Sequence, residues 1–343
     1  MRCISTDVEE MGWTASLSEF EDATIYHTPE WKKFLGSTFD YDPCYLFAED
    51  ETGKLKGLLP LFYIKSKLTG KRLCSVPFSH ICGPIGDRDS QDALIEKAIS
   101  LCKDSGANHL EIRSSIEGKG FQNKNYFSTY ILELSPNMEQ VWKKLDKGSV
   151  RWSIKKSQKS DLTIDTTKDI EDLKGFYELN CITKREKGVP CHTWVFFKNL
   201  FNFLSDHVSL YVVRNGSREI IAGGIMTYFK GTVVYGYGAA DPNYLKLHPY
   251  HAFLWKAIED ACLKGFKYFD FGRTSYDNDG LIDFKKRWGT EESILYYGFY
   301  PKNPGSITEK RDNSRYRHAT KMIRKMPIPI YKKFSDTVFG SFG

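Results

Sequence analysis

Several stretches of the chain hold residues whose types could do chemistry. Cys191-His192 offers a thiol beside an imidazole, but neighbours in sequence do not usually meet as a nucleophile and its base. His248 and His251 stand three apart without a carboxylate at metal-binding spacing, which points to capping or packing. Asp270-Phe271-Gly272 matches a kinase triplet, yet no glycine-rich loop precedes it and no His-Arg-Asp loop exists. Gly236-Tyr237-Gly238 is only a G-x-G, and the chain has no P-loop, nucleophile elbow or dinucleotide fingerprint. Lys285-Lys286-Arg287 is a cationic run that, on spacing alone, reads as a solvated helix face. An ammonium turned inward has another use. It stabilises the tetrahedral oxyanion formed when an amine attacks an activated ester or thioester, an effect typically worth ~3 kcal/mol. Such a donor needs no covalent nucleophile, and holding amine and carbonyl together supplies ~7–11 kcal/mol through orientation.

The elements that must position these residues follow from periodicity. A helix fits Pro29–Leu35, strands fit Tyr45–Ala48 and Gly57–Lys65, and Thr52-Gly53 marks the turn between them. A strand fits Arg72–Val76. Asp92–Lys103 has helical spacing, with Ser90 as its cap and Gly106 as its stop. His109–Arg113 and Thr129–Leu134 read as strands. The second half repeats this order. Val208–Val213 and Ile220–Phe229 form a hairpin around Asn215-Gly216, and Thr232–Gly238 is a third strand. Pro249–Lys264 is a helix with Pro249 at its first position, and Tyr268–Phe271 and Ile294–Tyr300 are strands. A shift of 160 residues carries Arg113 onto Arg273, and one of 159 carries Lys97 onto Lys256. A shared offset across a helix and a strand implies duplication.

Composition narrows the class. The 343 residues are 41% hydrophobic and 15% aromatic, with a net charge of +6, which suits a globular protein able to meet anions. The first twenty residues hold Asp7, Glu9 and Glu10 and no apolar core of a secretory signal, so a cytoplasmic protein is expected, with a peripheral position at the inner membrane face as a further expectation. Eight cysteines are scattered without a C-x-x-C pair, so reduced thiols and no metal are expected. Between the halves, Lys143–Lys159 contains seven Lys or Arg against one acid, with helices at Met138–Leu145 and Val150–Ser160. Lys310–Lys333 holds nine Lys or Arg and one acid, and Pro327 and Pro329 interrupt any long helix there. The first stretch suits tRNA or pyrophosphate, the second an anionic membrane or an acidic surface of the protein itself.

Residues 235–300 hold an ordered set of motifs. These are Tyr235-Gly236-Tyr237-Gly238, His248-Pro249-Tyr250-His251, Tyr268-Phe269-Asp270-Phe271-Gly272-Arg273, and Gly280-Leu281 followed by Phe284-Lys285 and Trp288-Gly289. In this order they resemble the Fem family, the FemA- and FemB-like aminoacyl transferases of peptidoglycan bridge formation. The likeness is good over roughly residues 205–301 and looser before. It implies an α/β fold of tandem GNAT-like (acetyltransferase-like) domains, with mixed sheets flanked by helices. The domains are expected at 1–137 and 138–305, followed by a basic tail at 306–343. It implies transfer of an aminoacyl group from aminoacyl-tRNA, with no tightly bound cofactor, onto an amine of a cell-envelope precursor. Carried over by position, Lys285 matches the catalytic lysine. Phe284 is its neighbour, Tyr237 and Tyr235 lie on the crevice strand, and Arg151 with Lys155 matches the grip on the precursor's phosphates. Arg273 is a further candidate for the crevice. The long helical arm of some members is absent, and Asp270-Phe271-Gly272-Arg273-Thr274-Ser275 resembles a branch associated with exopolysaccharide genes. The competing expectations are an acyl-CoA-dependent N-acyltransferase of polysaccharide synthesis, and a protein that binds precursor or RNA without catalysis. An Arg/Gln-x-x-Gly-x-Gly/Ala loop for the CoA pyrophosphate is missing before Pro249.

Overall fold

A computed structural model of the chain describes residues 3–6, 10–66, 69–301 and 314–342. It forms two compact units. One holds Met1–Phe127, Ile294–Lys310 and Gly340–Gly343, and the other Ser128–Ser293 and Arg311–Phe339. Two of the divisions, 127/128 and 293/294, fall inside long strands, away from the expected 137/138 and 305/306.

In the first unit, helix α1 (Pro29–Thr38) starts at Thr28, whose side chain accepts from the Trp31 amide. Strands β1 (Leu46–Glu49) and β2 (Leu55–Leu59) pair antiparallel, with Gly53 at φ 79 in the turn. Pro60 has no N–H for a ladder, so the single strand expected over 57–65 ends at Leu59 and resumes as β3 (Phe62–Ser66). Strand β4 (Gly70–Cys74) pairs antiparallel with β3. Helix α2 (Arg88–Asp104) is capped by Asp87, which accepts from Ser90, so it starts earlier than the apolar spacing indicated. It crosses over to β5 (His109–Ile112), which runs parallel to β4. Leu94, Ile95, Ala98 and Cys102 of α2 pack on Leu59, Leu73, Leu110 and Ile112. Burial of each large apolar side chain contributes roughly 1.5–3 kcal/mol. Strand β6 (Gln122–Glu133) then carries the chain into the second unit.

The second unit opens with α3 (Met138–Lys144). A wide turn over Lys147–Arg151 replaces the first residues of the helix expected at 150–160, and α4 (Trp152–Gln158) follows. Next come β7 (Leu162–Thr167), α5 (Ile170–Lys187), α6 (Trp194–Phe203), β8 (Val208–Asn215), β9 (Ile220–Phe229) and β10 (Thr232–Ala240). Asn215 holds the β8–β9 turn by accepting from the Ser217 and Glu219 amides. Helix α7 (Pro249–Leu263) leads to β11 (Tyr268–Asp270), parallel to β10, and β11 pairs antiparallel with the end of β6 at Asp270 and Ile131. Helix α8 (Asp279–Lys286) and strand β12 (Glu291–Tyr300) follow. The far end of β12 pairs with β5 in the first unit's sheet, Gly298 opposite Ile112. Each unit thus repeats one pattern: an antiparallel pair, a crossover helix, a parallel strand and an antiparallel closing strand. The expected α/β architecture with mixed sheets is the one observed.

Helix α7 buries Phe253, Leu254, Ala257, Ile258 and Ala261 against β8, β9 and β10. Gly224 in β9 makes room for it, since a Cβ there would lie 2.4 Å from Phe253 Cε2. The tail forms α9 (Ser314–Lys325) and α10 (Ile328–Val338), broken at Pro327 as expected. Among the described residues, no helix is long and apolar enough to cross a membrane.

Candidate active site around Lys285

Strands β10 and β11 pair only from Thr232 with Tyr268 to Val234 with Asp270. Beyond this, β10 carries an irregularity where Ile225 and Met226 of β9 face Tyr237 and Tyr235, with Gly236 between them. After β11 the chain turns at Gly272, whose φ of 70 suits glycine. A Cβ there would lie 3.2 Å from the Tyr235 carbonyl oxygen. Asp270 fixes this turn. Its Oδ1 accepts the Gly272 amide at 2.7 Å and also the Thr129 hydroxyl from β6.

Helix α8 is capped by Asn278, which accepts from Leu281, and its end separates Lys285 from Lys286 and the following Arg287. Lys286 and Arg287 face solvent, paired with Glu292 at 3.0 Å and Asp283 at 2.8 Å. Lys285 turns inward and is only 4% exposed, so the solvated-face reading fails for this residue. Its Nζ donates to the Gly272 carbonyl at 2.6 Å and lies 5.8 Å from the centre of the Tyr130 ring. Burial lowers its pKa from 10.5 to about 7, against the opposing pull of the Asp270 carboxylate. The ammonium has three hydrogens, and the Gly272 bond uses one.

An aromatic layer backs the helix. Trp288 is fully buried and stacks on His251 at 5.7 Å, while Phe284 meets the same His251 at 5.7 Å and Phe271 meets Trp288 at 5.6 Å. Burial, helped by His248, lowers the His251 pKa to about 4, so this ring is a neutral packing element. His248 adopts φ 56 at the start of α7 and packs against Trp152 at 5.1 Å. Both histidines therefore pack, as their spacing indicated.

The other sequence-derived candidates lie as follows. Tyr235 packs its hydroxyl over Gly238, where a Cβ would lie 1.8 Å from the oxygen, and burial raises its pKa well above the usual value. Tyr237 sits in an aromatic cluster with His192 at 4.7 Å, Phe197 at 5.4 Å and Phe196 at 5.6 Å. Arg151 is half-buried and donates from Nε to the Leu145 carbonyl at 2.9 Å, which ties down the turn before α4. Lys155 is exposed, 6.0 Å from the centre of the Trp142 ring. Arg273 is exposed directly after the Gly272 turn. Arg113, which the offset carries onto Arg273, is buried and paired with Glu111 at 3.1 Å in the first unit. Lys285 and the Tyr235 backbone thus meet around Gly272, while Phe284 packs on His251 and Trp288 and Tyr237 is held by α6. Sequence reasoning missed Tyr130, Thr129 and Glu292. The only signal for the first two was the alternation of β6, which was assigned to the first half.

The start of α7 offers few free amides to an anion. Pro249 has no N–H, the His248 amide donates to Leu245, and the His251 amide donates to His248. Of the four amides that a helix start usually offers an anion, only that of Tyr250 remains.

Residues 147–286 match the model of the acetyltransferase (GNAT) domain. The chain superposes on the crystal structure of FemX with a TM-score of 0.71 at 17% identity, over 87% of this chain and 96% of that one. It superposes on L-PGS from Bacillus licheniformis with a TM-score of 0.57 at 15% identity, over 94% and 98%. A conserved protein of unknown function from Bacteroides thetaiotaomicron gives 0.56 at 15% identity, over 87% and 99%. No curated protein sequence matches the chain. The fold is thus that of FemX, and the acetyltransferase (GNAT) domain match lies within the second unit.

Proposed function

We propose that the chain is an aminoacyl transferase that forms an amide on a cell-envelope precursor of peptidoglycan or exopolysaccharide by direct aminolysis, working in the cytoplasm where aminoacyl-tRNA is available. The observation that carries this reading is the inward ammonium of Lys285, held on the Gly272 carbonyl with donors to spare. The acceptor amine attacks the ester carbonyl of aminoacyl-tRNA, and the carbonyl π electrons move to oxygen. Lys285 stabilises that oxyanion through its remaining N–H groups. Collapse re-forms the C=O, breaks the bond to the ribose oxygen and releases tRNA, while the proton lost by the amine goes to the leaving oxygen. Phe284 and Tyr235 shape the site, Tyr237 lines the strand beside it, Arg273 lines the crevice, and Arg151 with Lys155 binds the precursor's phosphates. Fixed donors at a developing oxyanion are typically worth ~3–4 kcal/mol.

The acetyltransferase match keeps acyl-CoA as the competing donor, and the occupied start of α7 weighs against it. The test incubates the purified protein with envelope precursor and either charged tRNA or acyl-CoA, and follows the precursor by mass spectrometry. Gain of an aminoacyl mass with charged tRNA alone is expected. Gain only with acyl-CoA moves the protein to the other donor class, and no gain with either, despite precursor binding, removes the catalytic reading.

A further inference from the structure

We propose that the outer face of α9 is a docking surface for an anionic phospholipid membrane, independent of the transfer chemistry. The helix reads Ser-Arg-Tyr-Arg-His-Ala-Thr-Lys-Met-Ile-Arg-Lys and holds no acid. At about 100° per residue, Arg317, Lys321, Arg324 and Lys325 share one side, opposite Ile323. Those four cations are exposed, whereas Ile323 is 6% exposed and faces the protein.

The helix is seated firmly within the second unit. A Cβ on Gly188 would lie 2.3 Å from Thr320 Cγ2, so the glycine that ends α5 lets α9 approach closely. Arg185 donates to the Met326 carbonyl at 3.3 Å, and Tyr331 of α10 donates to the Val189 carbonyl at 2.7 Å. The surface under α9 is therefore the C-terminal turn of α5, which carries Lys184, Arg185 and Lys187. Helix α9 thus lies on a helix end with three cations and one acid, Glu186, and the acidic contact of the tail is made by α10. Lys332 of α10 pairs with Glu178 at 2.5 Å. Among the described residues, no carboxylate pairs with Arg317, Lys321, Arg324 or Lys325.

A cationic face without internal neutralisation calls for an external polyanion. Its apolar residues favour a membrane over a nucleic acid. Met322 is 66% exposed at the margin of the cationic side, and Ile330, just after it in α10, is 59% exposed. Phosphate contacts alone gain nothing from such side chains, whereas a headgroup layer buries them.

The test is co-sedimentation of the full chain with phosphatidylcholine vesicles that contain or lack phosphatidylglycerol. Binding only to the anionic vesicles is expected, falling as salt rises. Each basic residue near such a surface is worth about fivefold in partition, so Lys321→Gln with Lys325→Gln lowers it about 30-fold. Met322→Ser also lowers partition with the charge unchanged, and Lys54→Gln with Lys71→Gln, in the first unit, leaves it unchanged. Equal partition to both vesicle types overturns the proposal. So does loss of tRNA binding in the Lys321/Lys325 variant when vesicle binding is absent, which would make this face a nucleic-acid surface.

Discussion

Replacing Lys285 by methionine keeps the apolar stem and removes the buried charge. Burial lowers the pKa of this lysine from 10.5 to about 7. At about 1.4 kcal/mol per pH unit, the protonated lysine costs the native state about 5 kcal/mol of folding free energy. Below pH ~7 both folded and unfolded chains hold the proton, and the cost stands in full. Between about pH 7 and pH 10.5 the unfolded chain holds a proton that the folded chain has released. The native protein therefore gains stability as pH rises through that window. Methionine has no proton to release, but it leaves the Gly272 carbonyl without its donor, a loss of about 1–3 kcal/mol. The variant is expected to be about 2–4 kcal/mol more stable than the native protein near pH 6. That advantage shrinks by about 1.4 kcal/mol per unit above pH 7 and reverses between about pH 8 and pH 10. Urea unfolding of both proteins at about pH 6 and about pH 9.5 reads the difference directly. An equal gap at the two pH values would refute the reasoning, since it would mean that Lys285 does not release its proton early in the fold.

Three further outcomes are expected. Because Lys285 must be protonated to stabilise an oxyanion and titrates at about 7, kcat should fall on the alkaline side of neutrality. Lys285→Arg should carry that fall to higher pH, while a native rate that rises through neutrality would make Lys285 a base instead. Asp270→Asn keeps an acceptor for Gly272 and removes the charge that favours the ammonium, so the fall in kcat should move to lower pH with little change in melting temperature. Gly224→Ala drives a methyl into the Phe253 ring and should lower stability by about 1–3 kcal/mol in a urea titration.

Much of the second unit was legible because its elements announce themselves. Pro249 opens α7 where proline belongs, and the apolar face from Phe253 to Ala261 has helical spacing. The offset that carries Lys97 and Arg113 onto Lys256 and Arg273 reflects two copies of one pattern, in which a crossover helix returns to a parallel strand. The path of the closing strands was not legible. Alternation marks β6 and β12 as strands but says nothing about which sheet each end joins, because pairing is a long-range choice. That is why Tyr130, whose ring lies against Lys285, escaped notice. The cationic run Lys285-Lys286-Arg287 at the end of α8 shows a related limit. Helical spacing alone left Lys285 with its solvated neighbours, and its inward turn depends on the Gly272 carbonyl, which only the folded turn after β11 supplies. Arg113 shows the same limit, since a strand-end arginine reads as exposed until Glu111 is found beside it.

The most direct test of the proposed chemistry is the single-turnover rate of aminoacyl transfer from charged tRNA to the envelope precursor, measured near pH 7 for the native protein and for Lys285→Met. A rate lower by about 10²–10³ in the variant, with precursor binding retained, is expected from loss of one fixed donor at the oxyanion. Equal rates would contradict the role given to this ammonium.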